Sequence, residues 1–150
     1  EVLKRELEQA DLMIGAIHSK TGRTPIIVSE EMIASMKAGS VVIDVSIDQG
    51  GCFETSDMTT LKKPTFVKHD VIHYCVPNIP SRYSRTASVS ISNIFTPYLS
   101  NIAEEGGFEN AVRFDKSLQK GMYFYHGILT NKTVADWFNI PFRDINLLFL

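Results

Sequence analysis

The residue types that could do chemistry are concentrated in one run, Asp44-Val45-Ser46-Ile47-Asp48-Gln49-Gly50-Gly51-Cys52-Phe53-Glu54-Thr55-Ser56. Asp48 would stand there as a carboxylate facing a crevice, and Gly50 and Gly51 would let the backbone approach a flat or charged ligand without a Cβ in the way. A plainer reading makes the two glycines an ordinary turn and Asp48 a solvated loop acid; spacing alone sets that reading slightly ahead. Cys52 lies in the same run, but no base or helix amino terminus stands beside it to lower its pKa, so it is a weak candidate nucleophile. His69, His73 and His126 fall among β-branched and aromatic residues, where an imidazole satisfied by its neighbours is expected rather than a general base. Cys75 alternates with His73 and is expected to be packed. Arg82 and Arg85 have the planar donors that clamp a carboxylate or phosphate, although solvated charges at a hinge account for them better.

A carboxylate facing a ligand must be carried by a rigid element. Residues 41–45 and 11–17 are continuous apolar runs with little alternation, the pattern of strands buried on both faces of a parallel sheet. Between them Ser29 can cap a helix that begins with Glu30 and Glu31 and buries Met32, Ile33 and Met36, with Gly39 closing it. A further helix, with Leu3, Leu7 and Ala10 at helical spacing, ends near Gln9. Helix, strand, helix, strand gives a βαβ unit with a right-handed crossover, hence an α/β fold. In open sheets of this kind the ligand crevice lies beyond the carboxyl ends of the strands, which makes the run after residue 45 a site candidate by position.

The remaining elements follow from punctuation and periodicity. Residues 19–25 read as a polar loop and 46–64 as a longer one; 65–76 read as two short strands broken near Asp70, adding an edge to the sheet. Prolines among polar residues between Pro77 and Arg85 mark a hinge, dividing the chain into 1–82 and 83–150. Ile91, Ile94, Phe95, Tyr98 and Ile102 then define a long amphipathic helix over 86–103, which Pro97 should kink. Gly106 and Gly107 end it. Short helices are expected around 108–114 and 115–120, an aromatic-rich strand over 122–129, and a last helix capped by Asn131 with Val134, Trp137 and Phe138 on one face. The second part is therefore mainly helical, and most of its aromatic residues are expected in a core or a subunit contact.

Composition sets the limits. At 150 residues there is room for one domain or two partial ones, and a net charge of −2 leaves no basic field to hold nucleic acid or an anionic membrane. No apolar run approaches the roughly 20 residues of a membrane span, so no membrane partner is expected. Two cysteines cannot build a disulfide framework, and no His/Cys cluster has metal-binding spacing, so a reducing, cytoplasmic setting and no metal are expected. The first residues, Glu1-Val2-Leu3-Lys4-Arg5-Glu6, read as mid-helix sequence without an initiator Met, so a piece of a longer protein is expected.

The run from Ile47 to Ser56, with Thr59-Thr60, Pro64-Thr65-Phe66, His73-Tyr74-Cys75-Val76 and Asn78-Ile79-Pro80 behind it, resembles the carboxyl-terminal part of the NAD-dependent alanine dehydrogenase family. The resemblance extends upstream through Ala10-Asp11-Leu12-Met13-Ile14-Gly15-Ala16 and downstream through Ser92-Asn93 and Thr96-Pro97-Tyr98. It implies a two-domain enzyme whose nucleotide domain is inserted in its substrate domain. Residues 1–82 would be the carboxyl-terminal half of a Rossmann-type NAD-binding domain, and 83–150 a return to the substrate domain. It implies that Asp48 is catalytic, lying beside nicotinamide and substrate and supporting a catalytic histidine; that Asn78 and Ile79 touch the nicotinamide; that Ile17 and His18 line the dinucleotide; and that Ile47 lies next to it. It also implies L-alanine and pyruvate as substrates, no metal, and a homo-oligomer, a hexamer in the intact enzyme.

The sequence departs from the family pattern at residues 18–23 and at Pro77 and Ile79. The glycine-rich pyrophosphate loop, the catalytic histidine and the substrate-binding lysine and arginine would lie upstream of Glu1, so these residues alone are expected to be inactive. Two other readings stand beside the dehydrogenase. One is a non-catalytic dinucleotide-binding or oligomerisation module; the other is a transhydrogenase-type subunit, disfavoured by Cys52-Phe53-Glu54 and by the lack of membrane helices.

Overall fold

The computed structural model describes residues 1–19 and 22–149. Lys20 and Thr21 of the loop expected over 19–25, and Leu150 at the end of the apolar run 147–150, lie outside the described residues. The chain forms two units, Glu1–Tyr83 and Ser84–Leu150.

In the first unit, helix α1 (Val2–Leu7) leads into strand β1 (Leu12–Gly15), helix α2 (Glu30–Ala34) and strand β2 (Val41–Asp44). A short 3-10 helix over Val45–Gln49 follows, then strands β3 (Thr65–Lys68) and β4 (Val71–Tyr74), and a second 3-10 helix over Ile79–Tyr83. The sheet order is β1-β2-β4-β3. The first two pairings are parallel and the last is an antiparallel hairpin. The hairpin turns at His69 and Asp70, both with positive φ (53° and 57°), as a two-residue turn between right-twisted strands requires. Helix α2 starts where the cap predicts: the Ser29 Oγ accepts from the Met32 N–H at 3.3 Å. It is shorter than its apolar stripe suggests, because Ser35 ends it. Gly39 does not close it but donates its N–H to the Asp70 carbonyl at 2.7 Å, turning the chain into β2.

The core of this unit packs Leu7, Val28, Ile33, Met36, Val42, Cys52, Phe53 and Val71 against one face of the sheet. Register places Met13, Val42 and His73 on that face, and Leu12, Val41 and Ile72 on the other. The expectation that β1 is buried on both faces is therefore corrected: Leu12 and Ile14 are 52% and 54% exposed. An apolar strand is covered only where a second layer lies over it, and among the described residues both helices that precede β2 pack toward the same side. The stretch expected to be loop over 46–64 is also partly ordered. The Asp44 carboxylate accepts from the Ser46 N–H and starts the 3-10 helix, while Val28 forms a parallel bridge with Phe53.

His73 is fully buried and satisfied at both ring nitrogens. Nδ1 lies 3.0 Å from the Val71 carbonyl and Nε2 lies 2.8 Å from the Thr55 Oγ1, with Phe66 stacked at 4.8 Å. A carbonyl can only accept, so Nδ1 carries the proton and Nε2 accepts from the Thr55 hydroxyl.

The second unit begins with helix α3 (Ser84–Glu104), which contains Pro97, and continues with α4 (Phe108–Phe114) and α5 (Lys116–Gly121). The single strand expected over 122–129 is instead a small hairpin, β5 (Phe124–Tyr125) and β6 (Ile128–Leu129), turning at His126 and Gly127 with positive φ. Helix α6 (Lys132–Phe138) is capped by Asn131, whose side chain accepts from the Val134 N–H at 3.0 Å. A 3-10 helix over Ile145–Leu148 follows. The core here is small: Val112, Tyr125 and Ile145, with Leu118, Met122, Leu148 and Phe149 packed on it. The apolar stripe of α3 has no buried residue, and on α6 it is Ala135 that is buried while Trp137 and Phe138 are exposed. Periodicity locates an apolar face; it does not supply the partner that covers it.

Burial holds the His73 imidazole below its ordinary value of 6.5. The unfolded chain takes up this proton near 6.5 and the native chain only at lower pH, so stability is fully present above 6.5 and declines as pH falls below it. Thermal unfolding should therefore drop in midpoint between about pH 7.5 and about pH 5.5, with a slope of at most about 1.4 kcal/mol per pH unit from this residue. His73→Gln should unfold at a lower temperature but with a flatter pH dependence over the same window.

Candidate functional site

Strands β1 and β2 run parallel, so their carboxyl ends open on the same edge of the sheet. Backbone groups beyond β1 bond to side chains beyond β2. The Ile17 N–H donates to the Ser46 Oγ at 2.7 Å, and the Ser19 N–H donates to the Gln49 Oε1 at 3.1 Å. The Thr24 N–H donates to the Gln49 carbonyl at 2.8 Å. The two strand-end segments enclose a cleft of about 310 Å³ lined by Ala16, Ile17, His18, Val45, Ser46, Asp48 and Gln49. Ala16, Ile17 and Val45 make its apolar wall, and the Asp48 carboxylate its charge.

The segment that carries Asp48 is held from below by Asp44, which is fully buried at the end of β2. Its Oδ1 accepts from the Ser46 N–H at 2.9 Å and from the Cys52 thiol at 3.6 Å. Its Oδ2 accepts from the Cys52 N–H at 2.9 Å and from the Ser56 hydroxyl at 2.6 Å. A buried carboxylate needs such donors, because unpaired it would lose its hydration with nothing in exchange. Gly51 belongs to the same arrangement. It is buried with φ +81°, and a Cβ there would lie 2.7 Å from the Asp44 Oδ2. The expectation that both glycines open the backbone to a ligand is thus corrected at Gly51, which makes room for a carboxylate of this chain. Gly15 plays a similar part beneath the cleft, where a Cβ would collide with Cys52 and Phe53.

Asp48 itself is exposed, and both of its oxygens accept from the Asn78 N–H at 3.1 Å. Asn78 has φ 51°, a left-handed conformation that asparagine tolerates better than most residues. Of the residues named from the sequence, Ile17, His18 and Asp48 come together in the cleft, and Asn78 reaches it through its backbone. Ile47 is 3% exposed and supports the 3-10 helix from within. Ile79 is half-buried at the start of the second 3-10 helix, outside the cleft lining.

The other candidates have structural roles. Burial, with the Asp44 charge, pushes the Cys52 thiol up to about 11, so it is not a thiolate nucleophile at neutral pH. Burial likewise raises Cys75. His69 is hydrogen-bonded to Glu30 at 2.7 Å, and together with Lys68 it holds the Glu30 carboxyl below the usual range. Among the described residues no group of three His, Cys, Asp or Glu is placed to hold a metal ion, and no helix is long and apolar enough to cross a membrane. Sequence reasoning passed over Asp44, Ser46 and Gln49. The available signal was a carboxylate within an otherwise apolar strand, which must find donors in the fold.

Comparison with known proteins places this chain in a family. A family model described as alanine dehydrogenase/PNT, C-terminal domain, matches residues 1–132. An alanine dehydrogenase of Staphylococcus epidermidis is 41% identical over 140 residues, 93% of this chain and 38% of that relative. Alanine dehydrogenase 2 of Staphylococcus aureus is also 41% identical over 140 residues, 93% of this chain and 37% of its own length. Among solved structures, an L-alanine dehydrogenase matches with a TM-score of 0.82 at 35% identity, covering 92% of this chain and 38% of the other. A transhydrogenase from Sinorhizobium meliloti shares the fold, with a TM-score of 0.63 at 21% identity over 75% of this chain and 31% of its own. These likenesses bear out the expected α/β class. The chain spans 38% of the length of the first of these relatives.

Gly39 and Gly51 separate backbone strain from crowding. Both have φ near +80°, but a Cβ at Gly39 would meet nothing within 4 Å. Gly51→Ala should destabilise the chain more than Gly39→Ala, by about 1–3 kcal/mol from overpacking against Asp44, measured as the difference in urea unfolding free energy.

Proposed function

Because this chain belongs to the alanine dehydrogenase/PNT C-terminal domain family, we propose that it forms the carboxyl-terminal part of an enzyme that oxidatively deaminates L-alanine to pyruvate and ammonia with NAD. The observation that carries the proposal is the Asp48 carboxylate at the rim of the strand-end cleft, held by the Asn78 N–H. In this reading residues 1–82 contribute the carboxyl-terminal half of a Rossmann-type NAD domain and 83–150 part of the substrate domain.

The cleft suits part of a dinucleotide. Its volume of about 310 Å³ is at the lower end of ligand pockets, which run from about 300 to about 1,000 Å³, and so admits one nucleoside half. Its apolar wall suits the face of a flat ring, and Ile17 and His18 would hold the cofactor edge. Bound NAD would supply the hydride acceptor. Asp48 would act by its charge, favouring the protonated form of a neighbouring imidazole and the positive charge that develops on the amino nitrogen as L-alanine is oxidised. Asn78 would hold both carboxylate oxygens at the rim of the cleft, and Ile47, buried beneath, would fix the 3-10 helix that carries them. Asn78 and Ile79 would flank the nicotinamide.

The reading includes a reducing, cytoplasmic setting, supported by two free, buried cysteines, and assembly of the intact enzyme with further copies of itself. Assembly is supported by the exposed Ile94, Phe95 and Leu99 of α3 and by a groove of about 440 Å³ lined by Phe95, Leu99, Ile102, Phe108 and Leu118.

The test is made on the full-length gene product. Asp48→Asn should lower kcat for alanine-dependent NAD reduction by about 10²–10³, as loss of a charge positioned for the transition state does. NADH affinity, followed by fluorescence titration, should stay within about twofold. Equal loss of both would overturn the catalytic assignment; NADH binding without turnover by the unsubstituted protein would favour a binding module.

A further inference from the structure

On the reading that Asp48 works in a dehydrogenase cleft, we infer that Asp44, which makes no contact with that cleft, is the positioning residue for it. Among the described residues four groups bond to the Asp44 carboxylate, and all are donors: two backbone N–H groups, a thiol and a hydroxyl. A site made only of donors calls for a side chain that can only accept, and an ionised carboxylate of this length is the one that fits. Among the described residues Asp44 forms no ion pair, so its charge is balanced by these donors alone.

The donors come from Ser46, Cys52 and Ser56, so the carboxylate draws the segment from 46 to 56 into a closed loop around itself. Asp48 is on the outer turn of that loop, between the anchored Ser46 and the anchored Cys52. Among the described residues its own carboxylate is tied only to the Asn78 N–H, so its place in the cleft depends on where the 3-10 helix is set. The same anchor reaches the opposite wall. Ser46, with its N–H on Asp44, offers its Oγ to the Ile17 N–H at 2.7 Å. Through its own side chain Ser46 thus also ties the 3-10 helix to the strand end that faces it. Asparagine cannot stand in, because its amide nitrogen would point a donor either at the Ser46 N–H or at the Cys52 N–H, neither of which can accept.

A double-mutant cycle on the full-length protein distinguishes positioning from support of the fold. Asp44→Asn should lower kcat by about 30-fold or more, and Ser56→Ala, which removes one donor, by about 3- to 10-fold, with KM for NAD within about twofold. In an Asp48→Asn background both factors should shrink to about 1, since a residue acting through Asp48 has nothing left to position. If kcat is unchanged in both variants, or falls by the same factors with and without Asp48, the positioning role is overturned while the dehydrogenase reading stands. If Asp44→Asn does not fold, the Ser56→Ala cycle decides alone. Absence of alanine-dependent NADH formation by the unsubstituted protein would overturn the functional reading and this inference with it.

Discussion

A carboxylate buried without a cation must be surrounded by donors, and meeting that demand at Asp44 shapes the carboxyl end of the sheet. The Ser46 N–H, the Cys52 N–H, the Cys52 thiol and the Ser56 hydroxyl converge on its two oxygens, so the chain after β2 must curl back on the strand instead of running off into solvent. The curl needs positive φ at Gly50 and Gly51, and at Gly51 it needs the absence of a Cβ as well. It also places Cys52 and Phe53 over Gly15, so the end of β1 is packed by the same turn that closes β2. Changes at any of these residues should therefore propagate to the others.

The cleft is a consequence of this packing. Once Ser46 and Gln49 are fixed, their side chains accept from the Ile17 and Ser19 N–H groups beyond the end of β1. The strand ends become two walls with Asp48 between them, and the hairpin of β3 and β4 brings the chain round so that Asn78 can cap the acid. The donors in this region are mostly backbone N–H groups, whose direction is set by the path of the chain and not by a side-chain rotamer. Such a fixed direction is what a group acting by charge requires.

The two units differ in how much of their apolar surface they cover for themselves. The first has a continuous core on one face of its sheet and leaves Leu12 and Ile14 uncovered on the other; the second carries a 21-residue helix with no buried residue. Sheet faces and amphipathic helices of this length are stable in water when a second layer lies over them. Such exposure accords with a chain that spans 38% of its relatives' length.

The division between what was legible in the sequence and what was not follows the distance over which each interaction acts. The Ser29 and Asn131 caps, the break near Asp70 and the apolar strands over 12–15 and 41–44 depend on residues within a few positions of each other, so types and spacing were enough to find them. Asp48 could be singled out because it follows a strand end in a parallel sheet, a rule of topology. Its tie to Asn78 spans 30 residues and that of Ser46 to Ile17 spans 29, and no local pattern encodes which groups meet across such gaps. Burial behaves the same way: periodicity marked the faces of β1, α3 and α6, and only the packed chain determined which of them were covered. The sequence by itself determined the elements and the loop that carries the acid. Tertiary structure alone decided that Gly51 serves Asp44, that Cys52 is held as a neutral thiol, and that Asp44 is the group on which the loop closes, because these roles come from atoms brought together by the fold.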